Sequence, residues 1–86
     1  MATVDEVKAR VAATVGQTTE ALARLRAVAQ SFDEALTMLR LTATGSVHPG
    51  LVDAVLKLEQ ARERVLEAHT LATAAVSDAD SWRAAA

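Results

Sequence analysis

The chain has 86 residues, nine of them basic and eleven acidic, for a formal net charge of −2. That length suits one domain, and the charges are spread with no Lys/Arg cluster of the kind that marks a nucleic-acid or membrane footprint. Cysteine is absent, which excludes disulfides and thiolate metal sites.

Apolar residues make up 51% of the chain, but 20 of them are alanine, which buries little area; the large ones are ten Leu, ten Val, two Met, Phe32 and Trp82. Ordering a residue costs about 1–2 kcal/mol in backbone entropy alone. A lone chain of this composition is therefore expected to be marginal and to gain from association with a second copy or a partner. No apolar run approaches the ~18 residues a membrane helix needs. Asp5 and Glu6 stand where a signal peptide would carry basic and then apolar residues. A cytoplasmic chain is expected, with export by a route that reads no cleavable signal as the alternative.

Thr3 opens the first predicted helix. Thr3-x-x-Glu6 is a capping-box pattern, in which hydroxyl and carboxylate satisfy free N–H groups reciprocally. Val4, Val7 and Val11 mark an apolar face, which continues at spacings of four and three through Val15, Thr18, Leu22, Leu25, Ala29, Phe32, Leu36, Leu39 and Ala43. Gly16, followed by Thr18 and Thr19, is the weakest stretch, since glycine costs about 1 kcal/mol relative to alanine in a helix. The stripe nevertheless passes straight through, predicting one helix over residues 3–44, roughly 60 Å long at ~1.5 Å per residue.

The pattern stops at Thr44-Gly45-Ser46-Val47-His48-Pro49-Gly50, which predicts a tight turn over 45–48. Gly45 suits the left-handed position that ends a helix, and Pro49 suits the first position of the next, where its missing N–H is no loss. Either His48 or Ser46 caps that helix. Asp53 is assigned to its first turn, where the helix dipole favours an acid.

The second predicted helix spans 49–80, with a stripe of Leu51, Ala54, Val55, Leu58, Ala61, Val65, Ala68, Ala72, Val76 and Ala79. Its alanine-rich distal half allows close approach, near the short end of the usual ~8–10 Å helix spacing. Ser77-Asp78-Ala79-Asp80-Ser81 is polar and weakly helix-favouring, so the helix is expected to fray there and leave a tail over 81–86, with Trp82 able to bring the end back onto the bundle.

Projected at 100° per residue, most large apolar residues of the first helix fall within an arc of about 140°. The hairpin seam is assigned to Val11, Val15, Leu22, Leu25, Phe32, Leu36, Leu39, Leu51, Val55, Leu58 and Val65. Met38 and Leu41 on the first helix, and Val52 and Leu56 on the second, leave that arc near the turn. They form a candidate association surface at the hairpin tip, the bland alternative being scattered surface hydrophobes.

His69 falls on the apolar arc and is read as a packed histidine donating one hydrogen bond, since no Glu-x-x-His or His-x-x-x-His pattern accompanies it. His48 is a capping or solvent-facing residue. Counting back from the turn puts Arg62 near Phe32 and Asp33, where it forms a register-fixing ion pair with Asp33 or lays its stem over apolar surface. Glu6–Arg10, Glu20–Arg24 and Asp53–Lys57 are i,i+4 pairs, each worth a few tenths of a kcal/mol. Glu59, Glu63 and Glu67 form an acidic column off the arc, unlike the inward-facing carboxylates of a di-metal bundle. Gly16, Gly45 and Gly50 stand alone, so there is no phosphate loop. Two aromatic residues offer no stacking platform for bases. No catalytic residue, cofactor or metal site is expected.

Two long helices around one turn in under a hundred residues resemble the Trp-x-Gly helical hairpins exported by type VII (ESX) secretion systems. That resemblance implies pairing with another helical subunit. The turn from Gly45 to Gly50 carries no Trp-x-Gly, and the chain has no tyrosine for that family's C-terminal Tyr-x-x-x-Asp/Glu signal. Gly45-Ser46-Val47-His48-Pro49 followed by an Ala/Leu/Glu-rich helix is also similar to small uncharacterised helical proteins of high-GC actinobacteria.

The expected architecture is all-α: one antiparallel hairpin, two copies of which make a four-helix bundle. The expected role is a non-catalytic protein–protein interaction or scaffold module acting as a homodimer, with neither nucleic acid nor membrane as partner. The alternative is a type VII-like exported or export-associated hairpin that pairs with an unlike helical subunit.

Overall fold

A computed structural model of the chain describes residues 1–45 and 48–86. Two helices carry nearly all of it: α1 (Val4–Thr44, 41 residues) and α2 (Pro49–Ala85, 37 residues). They run antiparallel, with Lys8 beside Ala86 at the open end and Arg40 beside Glu59 near the turn. The fold is the all-α hairpin that the periodicity predicts. It measures 63 × 20 × 15 Å, with a radius of gyration of 19.3 Å, against about 12 Å for a compact domain of this length.

Thr3 is the N-cap of α1, and its Oγ1 accepts from the Glu6 N–H at 3.1 Å. The helix therefore starts at Val4, one residue later than expected. Gly16 sits within unbroken helix, and a Cβ there would meet nothing within 4 Å. His48 caps α2: its backbone is extended (φ −69°, ψ 120°) and its Nδ1 accepts from the Gly50 N–H at 3.0 Å. Pro49 follows at the first helical position. The competing cap, Ser46, lies outside the described residues.

Three local expectations are corrected. Gly45 ends α1 with φ −91° and ψ 5°, not in the left-handed region. The chain leaves α1 through a conformation open to any residue, with the Gly45 N–H donating to the Ala43 carbonyl. Asp53 lies just beyond the first turn of α2, because the helix starts at Pro49 and that turn holds no acid. The tail assigned to 81–86 is helical through Ala85. Packing overrides weak propensity there: Val76, Ala79 and Arg83 stay half-buried in the seam, Arg83 pairs with Asp80, and the Lys8 ammonium donates to the Ala86 carbonyl. Trp82 accordingly continues the helix and stays 41% exposed.

Candidate functional site

The seam is thin. Among the described residues, Leu36 (1% exposed) and Ala29 (9%) are the buried apolar ones. The other ten assigned seam residues, Val11, Val15, Leu22, Leu25, Phe32, Leu39, Leu51, Val55, Leu58 and Val65, are half-buried. Two helices alone cannot enclose these side chains, so each keeps part of its surface open along the two flanks of the hairpin.

The flanks differ in chemistry. On one, the Arg62 Nε donates to the Asp33 carboxylate, and the Arg40 guanidinium donates to Glu59 at 2.8 Å. The expected Asp33 partner of Arg62 is found there, whereas the Arg40–Glu59 pair was not anticipated. These four residues line a polar groove with Leu36 and Glu63. Next to it His69 is half-buried in a groove shared with Leu25, Arg26, Ala29, Arg62 and Leu66. Its ring makes no hydrogen bond to another described residue, so the expected donated bond has no protein acceptor there.

The other flank follows every seventh residue of each helix. On α1 the row is Val7, Thr14, Ala21, Val28, Ala35, Thr42; on α2 it is Ala54, Ala61, Ala68, Ala75, Trp82. Neither row holds an ionisable side chain. Thr14 and Thr42 donate their hydroxyls to the carbonyls of Arg10 and Met38, both at 3.0 Å, so what they offer a neighbour is largely a methyl group. Two apolar grooves open on this side. One, in the middle of the hairpin, is lined by Val28, Phe32, Ala35 and Leu58. The other, at the open end, brings Val7, Val11 and Thr14 of α1 against Ala75, Val76 and Ala79 of α2, with Arg10 at its edge.

The proposed tip residues Met38, Leu41, Val52 and Leu56 are all exposed, between 50% and 69%. None lines any of these grooves. In a hairpin the outer sides of the two helices point away from each other, so Leu41 and Leu56 lie on opposite sides of the molecule. Val28, Leu66, Leu71 and Trp82 are further exposed apolar residues that the tip assignment missed. The row through Val28 and the row through Trp82 are each visible in the sequence as a seven-residue repeat of uncharged positions. Their shared side becomes visible only with the register between the helices. Of the three i,i+4 pairs, Glu20–Arg24 closes among the described residues, at 3.9 Å and highly exposed.

Among the described residues, no helix is long and apolar enough to cross a membrane. No known protein-family model matches the chain, and no curated protein and no solved structure matches it either.

Proposed function

We propose that this chain is a non-catalytic helical interaction module that works as a homo-oligomer, two hairpins forming a four-helix bundle. One observation carries the reading. The hairpin has an accessible surface of 6324 Å² at a mass of 9.0 kDa, where a compact monomer of that mass has about 4,850 Å². The excess is close to about 1,500 Å², and a standard interface removes about 800 Å² from each partner. A dimer as compact as other proteins of twice the mass would have about 8,000 Å², so the pair would bury roughly 4,600 Å² in total. That lies within the range of obligate homodimers. The grooves along the hairpin also favour contact over chemistry, because all are open troughs between two helices.

The test is solution mass by light scattering over a dilution series, with circular dichroism on the same samples. A helical dimer that persists to low concentration is expected. A chain that is monomeric at every concentration and keeps full helicity overturns the reading. A poorly helical monomer overturns it too, and transfers the role of the second hairpin to an unlike subunit.

A further inference from the structure

We propose that the second copy seats on the uncharged flank, so that the rows through Val28 and Ala68 become the inner layer of the bundle and the Asp33–Arg62 flank faces water. This rests on the self-assembly reading above and adds to it the surface.

A two-helix layer has two broad sides, and burying either has a different cost. Covering the ion-paired side strips water from Asp33, Arg40, Glu59 and Arg62, whose side chains are now between 37% and 55% exposed. That desolvation outweighs the attraction within such pairs unless every remaining polar atom finds a partner. Covering the opposite side desolvates no ionisable group of either row, and its threonine hydroxyls already donate within their own helix. It also closes the two apolar grooves and completes the burial of Phe32 and Leu58, which the seam leaves half done.

The shape of the surface suits a copy of itself. The register set by Asp33–Arg62 places Val28 level with Ala68 and Thr14 level with Trp82, so Val28 and Trp82 each share a level with a smaller side chain. Two such faces related by a two-fold axis give an isologous contact, in which one patch serves both subunits. The next row outward holds Arg10, Arg24, Lys57, Arg64 and Asp78 with Met38 and Leu71, the last 72% exposed. That is the composition of an interface rim, where charged heads stay in water and long stems cover apolar area.

The test compares the flanks at matched positions of α2. Ala68→Glu on the uncharged flank should weaken dimerisation by roughly tenfold or more, because a carboxylate would be buried without a partner. Thr73→Glu on the ion-paired flank, where Thr73 follows Glu59 and Leu66 at seven-residue spacing, should leave the mass unchanged. Since the chain has no cysteine, Ala68→Cys and Thr73→Cys give a second readout that survives any folding defect of the glutamate variant. Thiol labelling of Ala68→Cys should slow on concentration from monomer to dimer, while that of Thr73→Cys stays constant. A dimer whose Ala68→Cys thiol labels at the monomer rate, or one dissociated by Thr73→Glu and not by Ala68→Glu, overturns the assignment of the flank while leaving self-assembly intact. A parent chain that is monomeric at every concentration removes the self-assembly reading itself.

Discussion

The two flanks of the hairpin are built from the same helices at the same spacing, yet they solve different problems. The flank through Asp33, Arg40, Glu59 and Arg62 settles how α1 and α2 align, since each ion pair is satisfied in one register only. The flank through Val28, Ala35, Ala68 and Ala75 places no such constraint on alignment and leaves apolar surface open. Specificity within a chain and affinity between chains can thus be separated onto opposite sides of one thin layer. Exposed ion pairs contribute little energy, about 0–1 kcal/mol each, but a wrong register breaks both at once. Apolar area supplies roughly 25 cal/mol per Å² and discriminates poorly among registers.

The comparison can be broken most severely from beneath. Among the described residues Leu36 is the one large side chain fully buried, and it forms the floor of the ion-paired groove. Leu36→Ala should cost about 2–5 kcal/mol, lowering the midpoint of urea unfolding and abolishing the dimer along with the hairpin. A variant that keeps its parent midpoint would show that the seam contributes little to stability. Next in size is a change that erases the contrast. Replacing Asp33, Arg40, Glu59 and Arg62 together by leucine removes both ion pairs of that flank, and light scattering should then show species larger than a dimer. If the mass does not change, the charges are not what keeps that side solvated.

Smaller effects sharpen the contrast. Arg62→Met should lower hairpin stability by no more than about 1 kcal/mol, read by thermal melting, without shifting the monomer–dimer equilibrium. Gly16→Ala and Gly45→Ala touch neither flank. A Cβ at either position meets open space, and Gly45 already has a negative φ, so each should stabilise by about 0.4–1 kcal/mol. A loss at Gly45 would reinstate a left-handed helix end. Salt should have the smallest effect. The rim of the uncharged flank carries four basic residues, Arg10, Arg24, Lys57 and Arg64, against one acid, Asp78, so two copies bring net positive charge together. Raising ionic strength should tighten the dimer by a few tenths of a kcal/mol, measured by sedimentation. Weakening on added salt would point to an acidic partner on that surface instead.

Much of the fold was legible in the residues themselves. The break between Thr44 and Pro49, the Thr3 cap and the seam periodicity are local signals, and counting from the turn was enough to bring Arg62 to Asp33. The end of α2 was not legible, because Ser77 to Ser81 is a weak helix former by composition and is held by contacts with residues some seventy positions earlier. Gly45 misled for a related reason: glycine permits a left-handed end but does not require one. The candidate surface was half legible. A row of uncharged residues every seven positions can be read on either helix, but the handedness and register of the pairing decide that Val7 and Ala75 share a side.

The open end of the hairpin brings Lys8 against Ala86, some 60 Å from the turn. Whatever is joined to either end of this chain leaves from the same pole. Tension between those two attachments would not shear the helices past one another. It would peel them apart from the open end towards the turn, loading one level of side chains at a time. Tension applied between the turn and the open end would instead act along both helix axes at once and be shared by the whole seam. The same molecule is therefore a weak fastener in one direction of pull and a stiff strut in the other.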